Sequence, residues 1–129
     1  MVAPITARSS PSRLELHDPD QLLELLTDDI VYDDCAWPRT MHGKADVREF
    51  IDNTWRAFLE LTFELVAGPH VACDGPRAAF WWKASGTNLG PIDPPGIPAT
   101  GRRIELDGVD IHEYRNGKVA KLRIIFKWQ

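Results

Sequence analysis

Two aspartates stand where strands would carry an acid into an apolar interior. Asp34 ends the run "IVYDD", and the alternation of side chains along a strand puts it on the same face as Tyr32. Asp110 lies in the middle of the strand-like segment 102–114, where aspartate is uncommon and seldom buried without a partner. His112 lies on the same face of the strand as Asp110, and this face begins with apolar residues. We therefore predict that Asp34, Asp110 and His112 face one cavity.

A pair of carboxyl groups in a dry cavity suits proton transfer at carbon. Burial and a nearby like charge both favour the protonated acid, so one member of such a pair stays ionised while the other keeps its proton. In this interpretation Asp34 removes a proton next to a carbonyl, and Asp110, helped by His112, donates a hydrogen bond to the enolate oxygen. Aromatic residues would exclude water and bind the substrate, and we assign that part to Tyr32, Trp37, Trp55, Phe58, Trp82 and Tyr114.

Structural roles explain some of the same residues. Asp34 can simply end a strand and cap the next turn, because aspartate is a favoured turn residue. An inward His112 can be a hydrogen-bonded core histidine. Cys35 and His42 have the residue types of a nucleophile and its base, but a small buried thiol also accounts for Cys35. The sequence leaves these alternatives open.

Composition narrows the class of protein. The chain has 129 residues, 43% of them hydrophobic and 26% charged, which suits one domain with one core. A net charge of -4 argues against a sequence-independent nucleic-acid binder, and no apolar run approaches the roughly 20 residues of a membrane span. We expect residues 1–11 to form a loose leader segment, and they lack the apolar region of a secretory signal. Two cysteines without C-x-x-C spacing suggest free thiols, a cytoplasmic location and no structural metal.

The periodicity of the chain predicts helices first and strands afterwards. A helical pattern covers residues 12–26 with a break near "HDPD", and a strand covers residues 30–34. A second helix follows Gly43, with an apolar stripe from Val47 to Phe58. The remainder is strand-like, with a hairpin signal at "RNGK" and a long connection over residues 86–101. We expect an α+β fold in which a curved antiparallel sheet covers the helices and leaves a cone open at one end.

The outer face of the last predicted strand suggests a partner. Lys121, Arg123 and Lys127 alternate with inward apolar residues and have aliphatic neighbours. Such an amphipathic face suits either solvent or a second subunit. We expect a homodimer through this face.

Two stretches resemble a known superfamily. The segments "LLTDDIVYDDCAWPRTMHGKADVREF" and "GVDIHEYRNGKVAKLRIIF" resemble the nuclear transport factor 2-like proteins, and most closely the SnoaL-like polyketide cyclases and the ketosteroid isomerases. The resemblance covers about residues 16–128. It implies a cone-shaped sheet packed on helices, with Asp34 as the proton-shuttling acid and Asp110 as the protonated acid of an oxyanion hole. This chain departs from the pattern at Ser10 and Ile51, where the isomerases carry tyrosines, and at Lys127, where the cyclases carry an acid.

Residues and resemblance together predict a single SnoaL-like domain over residues 1–129. We expect an enzyme that acts on a cyclic ketone or polyketide-like substrate by isomerisation or intramolecular aldol closure. Its carboxyl groups suffice for enolisation, so no cofactor is expected. The alternatives are a non-catalytic module that binds hydrophobic ligands and an epoxide hydrolase of the limonene type, because a fold does not determine a function.

Overall fold

The computed structural model describes residues 19–58, 61–91 and 98–128, and within them two helices and six strands. In chain order these are α1 Pro19–Glu24, β1 Leu26–Asp34, β2 Met41–His42, α2 Gly43–Ala57, β3 Thr62–Val71, β4 Arg77–Thr87, β5 Arg103–Arg115 and β6 Lys118–Trp128. The predicted leader and the part of the first predicted helix before residue 19 lie outside the described residues. Neither described helix is long and apolar enough to cross a membrane.

The six strands form one sheet in the order β2-β1-β6-β5-β4-β3. The predicted α+β class is confirmed, with one difference in strand direction. The pair β1–β6 is parallel, whereas the other four neighbouring pairs are antiparallel. Because β1 and β6 are far apart in the chain, no tight hairpin constrains them to run in opposite directions.

One face of this sheet, called the inner face below, packs against α2. Along β5 the residues Leu106, Asp110 and His112 are buried, whereas Val109 and Ile111 on the outer face are partly exposed. This confirms the predicted alternation in β5. Gly43 begins α2 with a φ of 83°, which favours glycine, and the helix buries Val47, Phe50, Ile51 and Ala57.

Three local predictions can be compared with the strands. The hairpin at "RNGK" is confirmed, with Asn116 and Gly117 both at positive φ between β5 and β6. The expected strand at residues 30–34 begins earlier, at Leu26, because Leu26 pairs with Val119 of β6 and is fully buried there. The segments "LTFELVAG" and "PHVACDG" contribute to one strand, β3, which ends at Val71, has two register shifts and contains Pro69. Proline is tolerated in β3 because this strand lies at the edge of the sheet.

Candidate functional site

Strand register brings Asp34 and Asp110 to opposite sides of one residue. Asp34 of β1 and Asp110 of β5 both pair with Ile124 of β6, which lies between those two strands. Two strand spacings separate their Cα atoms by about 10 Å. Asp34 is 1% exposed and Asp110 is 0% exposed, so both side chains point into the interior. The structure thus brings the two predicted acids to one inner face.

Asp110 belongs to a chain of buried polar groups. The indole N–H of Trp82 donates a hydrogen bond to Asp110 Oδ1 at 2.7 Å, and Asp110 Oδ2 lies 3.1 Å from Nε2 of His112. On the other side of the imidazole, Nδ1 lies 3.4 Å from the hydroxyl of Tyr114. His112 is 0% exposed, whereas Tyr114 is half-buried. The chain therefore leads from the buried carboxyl to the edge of the core.

Two arrangements of protons satisfy all the hydrogen bonds in this chain of polar groups. An ionised Asp110 accepts from His112 Nε2–H while the Tyr114 hydroxyl donates to Nδ1, or a neutral Asp110 donates to Nε2 while Nδ1–H donates to Tyr114. In either case both oxygens of Asp110 interact with side chains of its own sheet. This differs from the sequence-based picture of an acid that offers its proton to a substrate, because that picture did not include Trp82 as a donor.

The position of the Trp82 ring depends on a glycine in the neighbouring strand. Trp82 and Gly108 are register partners, and a Cβ atom built on Gly108 would lie 2.6 Å from Cη2 of Trp82 and 2.8 Å from Cβ of Phe126. Only a residue without a side chain lets the indole lie over β5 and reach Asp110. Trp82, which we predicted to line the cavity, is fully buried and also makes an edge contact with Phe63, at 5.4 Å between ring centroids.

Gly108→Ala is expected to lower the free energy of unfolding by about 1–3 kcal/mol, because the new methyl group overpacks the core and displaces the Trp82 indole from Asp110. Urea denaturation measures the loss, and the near-ultraviolet circular dichroism of the tryptophans should change with it. Gly75→Ala is the matched control, since its Cβ would lie 3.5 Å from the flexible side chain of Arg77. Equal stability of the two variants would contradict this account of Gly108.

Asp34 combines an inward position with a structural bond. Its Oδ1 accepts a hydrogen bond from the backbone N–H of Ala36 at 2.9 Å, and the N–H of Trp37 donates to the Asp34 carbonyl at 3.0 Å. This is the turn-capping role that the sequence left open. It leaves the burial of Asp34 on the inner face unchanged, so the structural role and a chemical role are compatible.

Aromatic side chains from β1 and the following turn pack on Phe50 of α2. The ring centroids of Tyr32 and Trp37 lie 5.5 and 5.0 Å from that of Phe50. Burial raises the pKa of the Tyr32 hydroxyl well above its usual value, and the negative charges of Asp34 and Asp110 raise it further. The pKa of Tyr114 is raised by the same two kinds of cause, burial first and the charge of Asp110 second. Both phenols therefore keep their protons at neutral pH.

Trp55 and Phe58 lie further along α2. Trp55 is half-buried and lines a hollow of about 10 Å³ together with Phe50, Ile51 and other residues of α1, α2 and the start of β3. That volume holds about one water molecule. Phe58 is buried in the same hydrophobic core, directly after α2. A ring-sized ligand in this hollow would have to displace some of the side chains around it.

The outer face carries a different kind of depression. It measures about 400 Å³ and lies on the opposite side of the sheet from the two acids. Its charged residues form exposed ion pairs, Arg123 with Asp33 at 3.2 Å and Lys121 with Glu113 at 3.9 Å. Elsewhere in the described ranges both cysteines are free and exposed, and these ranges contain no cluster of three potential metal ligands.

Sequence reasoning missed two contributors to the site. Phe50 was recognised as part of an apolar stripe but not as the ring that joins Tyr32 to Trp37. Gly108 pairs regularly with both neighbouring strands and makes room for Trp82, a role that the sequence alone did not indicate. The signal for Gly108 was its position two residues before Asp110 on the same strand face. That Gly108 makes room for an indole depends on its pairing with Trp82 of β4, and the sequence does not reveal this pairing.

Comparison with solved structures supports the fold. A protein from Pseudomonas putida named as a candidate polyketide cyclase has a TM-score of 0.75 and 22% identity, over 91% of this chain and 85% of that one. SalBIII, an epoxide hydrolase/cyclase-like enzyme in pyran ring formation in salinomycin, has a TM-score of 0.70 and 22% identity, over 90% and 83%. An NTF2-like protein of unknown function from Exiguobacterium has a TM-score of 0.67 and 21% identity, over 84% and 81%.

At these levels of identity the similarity concerns the fold, which is that of the NTF2-like proteins. No curated protein matches the chain. The sequence model of one protein family, the SnoaL-like domain, however, matches residues 8–122, which is most of the chain. The protein therefore belongs to the family of SnoaL-like domains.

Proposed function

We propose that this protein is a small-molecule enzyme that transfers a proton between carbon atoms of a cyclic ketone or polyketide-like substrate. The observation that carries the proposal is the position of Asp34 and Asp110, two buried acids from separate strands on either side of Ile124. Membership of the SnoaL-like domains and the similarity in fold to proteins named as cyclases support the same class. We further propose a cytoplasmic location and a neutral, largely apolar substrate.

Asp34 is the general base in this mechanism. Its carboxylate takes a proton from the carbon next to a carbonyl, the C–H electron pair forms a carbon–carbon double bond, and the carbonyl becomes an enolate. In an isomerisation the Asp34 carboxyl returns the proton to a different carbon. In an aldol closure the enolate carbon attacks a second carbonyl of the same molecule, and the new alkoxide takes up the proton. Neither route oxidises or reduces the substrate.

Asp110 and His112 have a supporting part in this proposal. Asp110 holds the imidazole by its Nε2 atom, and the other ring nitrogen faces the Tyr114 hydroxyl. Since both proton arrangements of this chain are satisfied, it can take up a proton at one end and release one at the other without leaving a buried polar group unpaired. In this proposal the row of polar groups holds a proton on the same inner face as Asp34.

Exchange of protons for deuterium tests the proposed activity. The protein is incubated in D₂O with a panel of cyclic ketones, and nuclear magnetic resonance follows deuterium at the carbon next to the carbonyl. We expect exchange well above the buffer rate with at least one ring ketone. Binding of these ketones without exchange would favour the non-catalytic module. Hydration of cyclic epoxides without ketone exchange would favour the epoxide hydrolase.

We also propose that two copies associate through the outer face. Trp81, Val109 and Ile125 are register neighbours across β4, β5 and β6, and each is at least one-third exposed. The ion pairs beside this apolar row present both signs of charge, which suits a two-fold interface between identical surfaces.

Light scattering should give twice the chain mass of 14.6 kDa at micromolar concentration. Ile125→Asp should give the mass of a single chain, because it introduces an unpaired charge into the apolar row. A wild-type protein that remains monomeric at all concentrations would refute the dimer.

A further inference from the structure

Two buried hydrogen-bond donors that pack against the same aromatic ring lack an acceptor within the described part of the chain. The hydroxyl of Tyr32 and the indole N–H of Trp37 have no hydrogen-bond partner there, although the residues are only 0% and 9% exposed. Folded proteins pair nearly all such groups, since an unsatisfied buried donor loses its bonds to water without replacement. Both residues pack against the ring of Phe50, so the two unsatisfied donors lie in the same part of the core. We therefore expect a functional reason for them.

The surroundings of Tyr32 indicate what could satisfy its hydroxyl. Tyr32 precedes Asp34 by two residues on the inner face, and across Leu122 its register neighbour is His112. Burial raises the pKa of the phenol well above its usual value, and the charges of Asp34 and Asp110 raise it further. The phenol remains protonated at neutral pH and can donate. Donors beside carboxyl groups favour a ligand that brings an acceptor oxygen and carries no negative charge of its own.

We propose that the Tyr32 hydroxyl and the Trp37 indole N–H bind the oxygen of a neutral carbonyl ligand, with the neighbouring carbon directed at Asp34. This inference rests on the proposed function and assigns the oxygen-binding part to groups other than Asp110, whose two oxygens already interact with Trp82 and His112. It narrows the substrate class to uncharged ketones. Carboxylic acids of the same shape are excluded by repulsion from Asp34.

Three bicyclic probes that differ in one group test the assignment. Calorimetry measures the binding of 2-tetralone, of tetralin, which lacks the oxygen, and of tetralin-2-carboxylate, which is an anion. We expect wild-type protein to prefer tetralone over both others. Tyr32→Phe and Trp37→Phe should each weaken tetralone binding by roughly tenfold and leave tetralin binding within about twofold, since each removes one donor and keeps an aromatic ring. Trp128→Phe, at the exposed end of β6, is the matched control and should change neither affinity.

Stability distinguishes a ligand-binding hydroxyl from a structural one. If Tyr32 donates only to a ligand, Tyr32→Phe removes an unsatisfied polar atom, and its urea midpoint should equal or exceed that of the wild type. A lower midpoint, an unchanged tetralone affinity in either variant, an equal loss for tetralone and tetralin, or a wild-type protein that does not prefer tetralone would each overturn the inference.

The experiments distinguish a failure of the proposed function from a failure of this inference. If tetralone binding depends on Tyr32 and Trp37 but no ring ketone undergoes exchange, the ligand site stands and the enzymatic activity falls. If exchange occurs while the two variants bind tetralone as the wild type does, the activity stands and this inference falls.

Discussion

Asp34→Asn is expected to slow deuterium exchange of a ketone substrate by roughly 10²–10⁴-fold, the usual contribution of a positioned general base. Asparagine has nearly the same shape and can still accept the Ala36 N–H through its side-chain oxygen, so the turn after β1 should persist. What the substitution removes is the ability to take a proton from carbon. Exchange rates at saturating ketone measure this loss separately from binding.

Asp33→Asn provides the control for that experiment. Asp33 is the neighbouring acid in β1, but it lies on the outer face and pairs with Arg123 at 3.2 Å. We expect its exchange rate to remain within about twofold of the wild type, because exposed ion pairs contribute little. Equal rates in Asp34→Asn and wild-type protein would eliminate Asp34 as the base.

Asp110→Ala is expected to lower the free energy of unfolding by about 3–5 kcal/mol, a large part of the stability of a small domain. The substitution leaves the Trp82 N–H and one side of His112 buried without their carboxyl partner. Asp110→Asn should recover most of the loss, since its oxygen can accept from Trp82 and its amide can donate to Nε2 of His112. Urea denaturation monitored by circular dichroism measures the free energy of unfolding of the wild type and of both variants.

The chain contains a matched pair for this comparison on the other side of the sheet. Trp81 donates from its indole to Asp107, in the same two strands as Trp82 and Asp110 but on the outer face. Asp107→Ala should cost about 0.5 kcal/mol or less, because water replaces the lost bond. If both alanine variants lose the same stability, burial is not what makes the Asp110 chain important.

Strand alternation is the part of the site that the sequence could predict. A period of two residues is a local property, so it correctly put Asp110 and His112 inward in β5 and Asp34 inward in β1. Register is not local. The pairing that puts Asp34 beside Ile124 and the one that puts Trp82 beside Gly108 join segments that are not consecutive through a tight turn. For that reason the sequence did not predict the hydrogen bond from Trp82 to Asp110.

The beginning of β1 shows the same limit on a smaller scale. The leucines at residues 22–26 have a helical spacing, and the sequence therefore extended the helix to Leu26. In the structure α1 ends at Glu24, and Leu26 pairs with Val119 in a parallel ladder. Burial against a distant strand outweighed local propensity at that position. The match between the predicted stripe of α2 and its buried residues shows where local pattern and tertiary packing agree.

The two borders of the sheet affect how the protein behaves at high concentration. β2 contains only two residues, and β3 has two register shifts and contains Pro69, which has no backbone N–H to donate. Neither offers a long row of unpaired backbone groups to a strand from another molecule. Growth of the sheet into fibrils by addition of strands is therefore disfavoured at both sides.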